Sequence, residues 1–391
     1  MKILYLTDVF PPHCGGSGWS VYFFARALRE QGHEVDFISL DGISRRYDDF
    51  EVSAYEVNHS KAPFWGNYQR DKNELPEIAR SANSRFGRYD VLHAHHKLSA
   101  IVLGMAAPEK RWFVTLRDYW PICFCGQSMY RIGRTCDLYD FSRCRDAENF
   151  WQGLAAPIFY TSLETRLRER RALIKNANKL FCISHHLRDQ FLPFYSSEQM
   201  QVLPNIAEAT DLPQVSDLPE RFLLYVGRLE RNKGVQLLPE IMQTSKVSLP
   251  LLLVGEGSLQ TELEHEFHER NVNARFLGFR EHPEMLAILS RSDAILFPSL
   301  WPEPLGRVLI EAGMMNKPSI AFSHPGGHHD VIQNNINGLL VPSVKDFADA
   351  VVELAGSSDL RQRLGNEGRK IYEVKFTPQA VVPRLLEEYN H

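Results

Sequence analysis

The sequence has few cysteines, little net charge and no long apolar run, and each shortage excludes a class of protein. Its 391 residues contain six cysteines, too few for a secreted scaffold that disulfides hold together. The 44 Lys and Arg nearly balance the 48 Asp and Glu, so there is no overall basic field that would hold a nucleic acid. No apolar stretch approaches the roughly 20 residues that a membrane-spanning helix needs. An ordinary globular protein with local binding sites fits what remains.

The first ten residues, MKILYLTDVF, lack the pattern of a signal peptide. A single Lys precedes a short apolar run that soon meets Asp8 and two prolines. The segment is typical of a first β-strand, and we expect a cytoplasmic protein.

Peripheral contact with a membrane stays an alternative, because the stretch ETRLRERRALIKNANK is rich in cations. Its cations are Arg166, Arg168, Arg170, Arg171 and Lys175. Glu164 and Glu169 lie among them, so we expect an ordinary solvated helix here.

Short apolar runs alternate with amphipathic stretches along the whole chain, which is typical of the strands and helices of parallel α/β sheets. A first set consists of KILYLT, a helix over residues 17–31, EVDFISL, YDVLHAH, WFVTLRD and KLFCIS. A second set follows a proline-marked stretch near residues 205–220 and consists of RFLLYVGRL, LPLLLVGEG, ARFLGF, AILFPS, PSIAFS and GLLVP. We therefore predict two Rossmann-like parallel-sheet domains that face a shared cleft, residues 1–205 and 206–375.

Two long segments, residues 42–75 and 119–150, are aromatic and polar and show little periodicity. Loops of this length are usually functional, and a surface extension packed on its own aromatics is the alternative. The second segment contains Cys123, Cys125, Cys136 and Cys144. Their spacing is not a standard zinc pattern, so free thiols, a structural metal and disulfides all stay open.

Residues that directly follow the strands are the first candidates for a site, because open α/β sheets bind ligands at the carboxyl ends of their strands. After the first strand, Gly15, Gly16 and Gly18 open a helix whose backbone N–H groups suit an anionic oxygen, with a purely structural turn as the alternative. Their spacing is not that of a dinucleotide fingerprint. After RFLLYV, Arg228 and Lys233 provide two cations that suit a diphosphate.

The stretch AILFPSLWPEPLGRVLIEAG combines two carboxylates with a predicted helix start. A helix that begins near Pro304 would place Glu303 just before it and Glu311 inside it, roughly 12 Å apart along the axis. That span reaches from a ribose to a sugar ring. The backbone N–H groups of Leu305 and Gly306 would then face a diphosphate at the positive end of the helix. A capping carboxylate is the alternative for Glu303 taken alone.

The motif EPLGRVLIE, preceded by PS, resembles the hallmark of retaining glycosyltransferases of family 4, which have the GT-B fold. Further motifs match in the same order: FPPHCGGSGWSVYFFARALREQGHEV, GRLERNKG, LLLVGEGSL, RFLGF and PGGHHDVIQNNINGLLV. The resemblance implies transfer of a sugar from a nucleotide-sugar with retention at the anomeric carbon, by a front-face mechanism without a metal ion or other cofactor. It also implies that residues 376–391 form a helix that returns to the first domain.

The same resemblance assigns roles to the candidate residues. Glu311 resembles the family residue that binds the donor ribose, and Glu303 resembles the one that contacts the transferred sugar. Arg228 and Lys233 match the pair that binds the diphosphate. Gly16 resembles the glycine whose loop closes over the distal phosphate.

One departure from the family follows WFVTL, where many members carry a His-Asp pair and this sequence has Arg117 and Asp118. Because Arg cannot act as a general base near neutral pH, we expect Arg117 to donate hydrogen bonds or stabilise negative charge, with a structural ion pair as the alternative. His95, in HAHHKL, joins Glu303 and Arg117 as a catalytic candidate. Gly327, in PGGHHDV, is expected near the sugar.

These observations predict a retaining glycosyltransferase of polysaccharide biosynthesis with a UDP-sugar donor, GDP- and ADP-sugars being alternatives. The expected acceptor is a glycan, a lipid-linked molecule or a small molecule. Two other activities stay open: a sugar-nucleotide hydrolase or epimerase of the same fold, and an NAD(P)-dependent oxidoreductase suggested only by the sheet pattern and the glycine loop. The presence of both glutamates argues against a non-catalytic binding protein.

Overall fold

The computed structural model divides the chain into two compact units. It describes residues 1–12, 14–57, 70–106, 110–123, 126, 156–209 and 211–391. Unit 1 comprises Met1–Pro204 together with Val382–His391, and unit 2 comprises Asn205–Val381.

Most of the predicted cysteine-bearing loop lies outside the described residues. Cys125, Cys136 and Cys144 belong to that part, whereas Cys123 is buried. Within the described ranges, no group of three or more His, Cys, Asp or Glu side chains is arranged to hold a metal ion. The state of the four thiols therefore stays a prediction.

Unit 1 is built on an eight-stranded sheet. Its strands are β1 Lys2–Thr7, β2 Glu34–Ser39, β3 Arg45–Tyr47, β4 Phe50–Ala54, β5 Val91–Ala94, β6 Arg111–Leu116, β7 Lys179–Cys182 and β8 Met200–Val202. Its helices are α1 Gly16–Glu30, α2 Leu75–Phe86, α3 Lys97–Ala106, α4 Ala156–Ile174 and α5 His185–Phe191, with a π-helical turn at Arg70–Glu74. The order is β3-β4-β2-β1-β5-β6-β7-β8, and every pair except β3 with β4 is parallel.

The central strand β1 illustrates why these residues form a covered parallel sheet. Ile3 through Thr7 are all buried, and such a continuous run is typical of a strand with helices on both faces. In α1, all residues from Gly18 to Ala25 are buried, so this part of the helix is covered on every side and not along one stripe only.

Residues 42–75 were predicted to be irregular, and this prediction is wrong in part because the segment contains a β-hairpin. Strands β3 and β4 pair antiparallel, and β4 extends the parallel sheet along β2. Phe50 and Val52 are buried while Glu51 is exposed, the period-two alternation of a half-buried strand. Asp48 in the turn has a φ of +52°, a conformation that Asp tolerates better than most residues.

Unit 2 is built on a six-stranded, fully parallel sheet in the order β11-β10-β9-β12-β13-β14. These strands are β9 Leu223–Val226, β10 Leu251–Val254, β11 Ala274–Gly278, β12 Ala294–Phe297, β13 Ser319–Phe322 and β14 Gly338–Val341. The helices are α6 Leu238–Ser245, α7 Gln260–Glu269, α8 His282–Arg291, α9 Arg307–Met314, α10 Val344–Gly356 and α11 Ser358–Lys375. A last helix, α12 Pro378–Asn390, starts in unit 2 and belongs to unit 1 from Val382 onward. Short 3₁₀ turns lie at Arg231–Lys233, Val235–Leu237 and Gly327–Asp330.

In each sheet the strand order changes direction once. From β9 the chain builds outward to β11, and from β12 it builds outward on the other side to β14; β1 and β5 have the same relation in unit 1. The loops after two such neighbours diverge and leave a crevice at the carboxyl ends of the strands, where α/β sheets bind ligands. The prediction of two parallel α/β sheets is confirmed. Every predicted strand segment forms a strand, and β3, β4 and β8 are additional.

Helix α4 is not simply the solvated helix that the sequence predicted. Arg166 and Arg170 are only 5% and 2% exposed. Arg170 donates to the Asp71 carboxylate at 2.9 Å, and Arg70 donates to its other oxygen at 3.0 Å. Among the described helices, none combines the length and the apolarity needed to cross a membrane.

Helix α12 docks on unit 1 through its last residues. The Tyr389 hydroxyl bonds His93 Nδ1 and lies 3.3 Å from the Tyr5 hydroxyl. On the other side of the ring, His93 Nε2 lies 2.8 Å from Thr115 Oγ1. All four side chains are buried, so this hydrogen-bonded chain fixes the helix to the middle of the sheet.

Candidate active site

The loop after β9 carries the first predicted cation of unit 2. Arg228 is exposed, and its guanidinium makes no hydrogen bond to any residue in the described ranges. Behind it, the Leu229 N–H donates to the Glu256 carbonyl at 2.9 Å. A Cβ on Gly255 would lie 2.1 Å from the Gly227 carbonyl oxygen. The glycines of VGR and VGEG therefore let the two loops touch through their backbones.

Gly234 places Lys233 against the loop after β12. Gly234 has a φ of +69°, and a Cβ there would lie 1.8 Å from the Pro298 carbonyl oxygen. The Asn232 carbonyl accepts the Leu300 N–H at 3.1 Å. The two loops are joined by main-chain contacts that only a glycine permits at this point.

Lys233 and Glu303 form an ion pair at the junction. Lys233 Nζ donates to Glu303 Oε1 at 2.6 Å and lies 4.6 Å from the centre of the Trp301 ring. Ser299 Oγ donates to the same Oε1 at 2.8 Å. Although the Glu303 side chain is 5% exposed, its Oε2 keeps contact with solvent and has no hydrogen-bond partner among the residues described. Two donors therefore hold Oε1, while Oε2 is available to a ligand.

The helix that carries Glu311 starts later than predicted. Helix α9 begins at Arg307 and not near Pro304. Gly306 is its N-cap residue, and its φ of +85° is left-handed, so the helix cannot extend back through it. The predicted separation of roughly 12 Å counted helical rise from Glu303 onward, which a helix beginning at Arg307 does not provide, so the distance between the two carboxylates stays a prediction. The N–H groups of Leu305 and Gly306 make no hydrogen bond to a described residue, so they stay available to an anion.

Glu311 is buried in α9 and is held by two donors. His282 Nε2 lies 2.8 Å and Arg307 Nε lies 2.7 Å from the same oxygen, Oε1. Burial alone would raise the pKa of Glu311, but the charge of Arg307 and the contact with His282 lower it below its ordinary value. The carboxylate is therefore ionised, and His282 carries a proton on Nε2. Within the described ranges, Oε2 has no hydrogen-bond partner and keeps contact with solvent.

The glycine pair of PGGHHDV packs on the backbone of Glu303. The Gly327 N–H donates to the Glu303 carbonyl at 2.5 Å. A Cβ on Gly326 would lie 3.1 Å from the Glu303 nitrogen and 2.6 Å from His328 Nδ1. Gly327 therefore supports Glu303 from behind, and its nearness to a sugar stays a prediction.

At the corresponding point of unit 1, Asp8 closes the gap between β1 and α3. Its carboxylate accepts the N–H groups of Leu98 and Ser99 at 2.8 and 2.7 Å. These are N–H groups of the first helical turn, which have no partner inside a helix. Next to them, Thr7 Oγ1 lies 3.0 Å from His96 Nδ1. Burial raises the pKa of Asp8 even though these hydrogen bonds oppose the shift.

Arg117 and His95 contact each other at the ends of β6 and β5. Arg117 Nε donates to the His95 carbonyl at 3.0 Å, and Nη2 lies 3.3 Å from His95 Nδ1. Because a guanidinium has no acceptor, Nδ1 is the unprotonated nitrogen of a neutral ring. Burial, together with the charge of Arg117, lowers the pKa of His95 well below 6.5. The His95 ring stacks on His93 at 4.1 Å and is 1% exposed, so its visible role is to hold Arg117.

The predicted glycine loop precedes α1. Gly16 is the first residue of that helix, and Gly15 is its N-cap without a side-chain hydrogen bond. A Cβ on Gly15 would meet no atom within 4 Å, whereas one on Gly18 would lie 2.5 Å from Cys14 Sγ. Close packing therefore explains Gly18 but not Gly15.

Besides Lys233, the residues that hold the two glutamates were not predicted from the sequence. They are Ser299, His282 and Arg307. Arg307 stands four residues before Glu311, a spacing at which helical side chains meet, so this contact could have been found. His282 belongs to another helix, and no spacing rule connects it with Glu311.

Both units match known sequence families. Residues 14–209 match the model described as Glycosyltransferase Family 4, and residues 209–371 match the model described as Glycosyl transferases group 1. The first match spans half of the chain. The chain belongs to glycosyltransferase family 4.

Curated relatives of this family 4 chain match it in part or throughout. Spore coat protein SA of Bacillus subtilis is 29% identical over 186 residues, which cover 44% of this chain and 49% of that protein. Glycogen synthase of Mycobacterium tuberculosis is 29% identical over 230 residues, 56% of this chain and 55% of that protein. The chain thus spans about half the length of these two relatives. An uncharacterised glycosyltransferase of Methanocaldococcus jannaschii is 25% identical over 410 residues, 100% of this chain and 98% of that protein.

Solved structures of similar fold cover the whole family 4 chain. Sucrose-phosphate synthase from Thermosynechococcus elongatus matches with a TM-score of 0.75 at 21% identity, covering 100% of this chain and 98% of that one. Anabaena HepE in complex with UDP-glucose matches with a TM-score of 0.72 at 17% identity, covering 100% and 99%. At such identities the likeness concerns the fold alone, and it confirms two parallel-sheet α/β domains of the GT-B type.

Proposed function

We propose that the chain is a retaining glycosyltransferase that moves a sugar from a nucleotide-sugar to a hydroxyl group of its acceptor. The observation that carries the proposal is the arrangement at the carboxyl ends of β9 and β12. Two glutamates there each offer one carboxylate oxygen, and cations and open backbone N–H groups accompany them. These groups correspond to the parts of a nucleotide-sugar: ribose hydroxyls, diphosphate oxygens and sugar hydroxyls.

The donor is proposed to bind along this row of groups. Oε2 of Glu311 accepts hydrogen bonds from the ribose hydroxyls. Arg228 and Lys233 bind the diphosphate, Arg228 through several donors and Lys233 as a point charge that it shares with Glu303. The N–H groups of Leu305 and Gly306 add two donors without charge. Glu303 Oε2 accepts a hydroxyl of the transferred sugar.

The proposed reaction keeps the configuration at the anomeric carbon. The bond between that carbon and the distal phosphate oxygen breaks, and the acceptor oxygen forms its bond on the same face. The leaving phosphate oxygen takes the acceptor proton, so the protein needs no base. Negative charge grows on the diphosphate, where Arg228, Lys233 and the two N–H groups stabilise it. We propose that these groups make a metal ion unnecessary, so activity should survive a chelator.

The names of relatives favour a UDP-linked donor and a glycan acceptor. HepE was solved with UDP-glucose, and a matching structure of TarM from S. aureus contains UDP and α-GlcNAc-glycerol. One curated relative is a glycogen synthase. We propose UDP as the nucleotide, and a glycan, lipid-linked or small molecule as the acceptor.

Unit 1 is proposed to bind the acceptor. Arg117, held by His95, would stabilise negative charge that develops on the reacting groups. Gly16 would hold a distal phosphate oxygen at the N-terminus of α1. We propose that the enzyme acts in the cytoplasm, and that it contacts the membrane surface where the acceptor is lipid-linked.

Titration of the protein with UDP-, GDP- and ADP-glucose tests the donor site. Glu311→Ala and Lys233→Ala should each weaken the bound nucleotide-sugar roughly tenfold or more, because each removes a charged partner. Glu269→Ala and Lys370→Ala are controls in the same unit, with side chains 64% and 68% exposed, and should leave the affinity unchanged. Unchanged affinity in both site variants, or no binding by the wild type, would contradict the proposal.

Product analysis separates the transferase from the other activities. Without an acceptor we expect slow loss of donor, whereas a hydrolase would turn over freely. With an acceptor, the anomeric configuration of the product, read by proton NMR, should equal that of the donor. Inversion would contradict the retaining mechanism, and binding of NAD(P) would favour the oxidoreductase.

A further inference from the structure

Both glutamates of unit 2 are held in the same way. Lys233 and Ser299 donate to Oε1 of Glu303 at 2.6 and 2.8 Å. His282 and Arg307 lie 2.8 and 2.7 Å from Oε1 of Glu311. In each case two side chains donate hydrogen bonds to the same carboxylate oxygen, and one of these two side chains is a cation, Lys233 or Arg307.

We infer that Ser299 and His282 are positioning residues, each of which aims the Oε2 of one glutamate at a different part of the donor. This inference rests on the proposed function. The last torsion of a Glu side chain is broad, so a carboxylate with one donor can turn about its axis. A second donor on the same oxygen, from another direction, fixes the plane of the carboxylate and with it the direction of Oε2.

For Glu303 the second donor has to be independent of the diphosphate. Lys233 is a flexible point charge, and a bound diphosphate would attract its ammonium group. The hydroxyl of Ser299 carries no charge, and Ser299 is 3% exposed at the end of β12. Ser299 therefore stays on Glu303 when Lys233 is shared with the phosphates, and it keeps Oε2 directed at the sugar.

For Glu311 the second donor comes from a different helix. Arg307 stands on the same helix as Glu311 and also donates to the Ile206 carbonyl at 3.3 Å. His282 is the first residue of α8 and is 7% exposed. It braces the carboxylate from the connection after β11, so the ribose contact depends on the contact between α8 and α9.

The roles proposed for Ser299 and His282 predict different losses of ligand affinity. The wild type is first titrated with UDP, GDP and ADP and with their glucose conjugates, and the tightest pair is kept. Ser299→Ala should leave the affinity for the nucleoside diphosphate within about twofold and weaken the nucleotide-sugar, so the ratio of the two affinities falls. His282→Met should weaken both ligands by the same factor, roughly tenfold, and leave the ratio unchanged.

Conservative variants separate positioning from general damage. Ser299→Thr and His282→Gln keep a hydrogen-bond donor at a similar reach and should restore most of the affinity that Ser299→Ala and His282→Met lose. The midpoint of thermal unfolding is recorded for all four variants. Where a donorless variant fails to fold, the conservative variant of that residue is judged against the wild type, and it has to retain the wild-type affinity ratio.

Three outcomes overturn the inference while the wild type still binds a nucleotide-sugar. They are an equal effect of both donorless variants on both ligands, no effect of either variant, and a wild-type ratio near one, which would mean that the sugar makes no net contact. Absence of binding by the wild type to all six ligands overturns the proposed function itself, and the inference with it.

Discussion

Gly234 is the residue on which the position of Lys233 depends most. Its φ of +69° is unfavourable for any residue with a Cβ, and a Cβ would lie 1.8 Å from the Pro298 carbonyl oxygen. The carbonyl belongs to the main chain at the end of β12 and has no rotamer that would avoid the clash. A substitution therefore has to separate the two loops that bring Lys233 to Glu303.

Gly234→Ala should accordingly cost about 2 kcal/mol or more of unfolding free energy and abolish measurable nucleotide-sugar binding. Gly356→Ala is the matched control, because a Cβ at the end of α10 meets no atom within 4 Å. It should be neutral, or stabilising by up to about 1 kcal/mol. Denaturant titration and calorimetric binding of both variants check the prediction; wild-type affinity in Gly234→Ala would show that the loops tolerate separation.

For single residues, the sequence predicted the charged side chains of the candidate site. It did not predict Ser299 and His282, which hold the carboxylates of the two glutamates in place. Glu303, Glu311, Arg228 and Lys233 follow strands or lie at a motif spacing, and both features are visible in one dimension. Ser299 looked like part of a loop. His282 reaches Glu311 only because α8 packs beside α9, and that contact is a result of folding that no local pattern encodes.

Among the elements, helix α4 divides its charges between two faces. Arg166 and Arg170 are buried, while the side chain of Arg168 is 75% exposed and lies 3.8 Å from Glu164. The sequence alone predicted a solvated helix, because interspersed Arg and Glu residues give the same pattern whether they lie on the buried face or on the exposed face. The buried pair of Arg170 with Asp71 ties α4 to the π-helical turn before α2.

Asp71→Asn should therefore destabilise unit 1 by about 3 kcal/mol, because it leaves the buried guanidinium groups without their carboxylate. Glu164→Gln breaks an exposed pair on the same helix and should change stability by less than about 1 kcal/mol. Differential scanning calorimetry of the two variants measures the contrast. Equal melting temperatures would mean that the buried pair adds nothing to the docking of α4.

Two other elements differ from the predictions for local reasons. The start of α9 was placed near Pro304 because Pro suits a first helical turn, but the left-handed Gly306 delays the helix to Arg307. The hairpin of β3 and β4 was missed because it has only three and five residues per strand. Both errors come from sequence signals of only a few residues.

At the scale of the whole molecule, the two parallel sheets could be predicted because their strands are nearly continuous apolar runs separated by helices. The units divide after Pro204 and again after Val381, so the chain leaves unit 1, builds unit 2 and returns. The return depends on Tyr389, whose hydroxyl bonds the buried His93. Burial lowers the pKa of His93 well below 6.5, so the ring stays neutral and needs hydrogen-bond partners, not a counter-charge.

Tyr389→Phe should destabilise unit 1 by about 1–3 kcal/mol, because it leaves a buried imidazole nitrogen without its partner. Tyr55→Phe, which removes a hydroxyl bonded to Ser81 at an exposed position, should have little effect. The nucleotide binding that we propose for unit 2 should stay at the wild-type level in both variants. A calorimetric scan with and without nucleotide measures both points; a change in nucleotide affinity in Tyr389→Phe would argue against a role confined to unit 1.

The link between His93 and Tyr389 also constrains synthesis on the ribosome. Domains generally fold in the order in which they emerge, from the N-terminal side. Unit 1 emerges first here, yet its buried imidazole waits for a tyrosine that is translated only after all of unit 2. The hydrogen bond between them can therefore form only after unit 2 has been translated, and until then a nascent unit 1 lacks this buried contact.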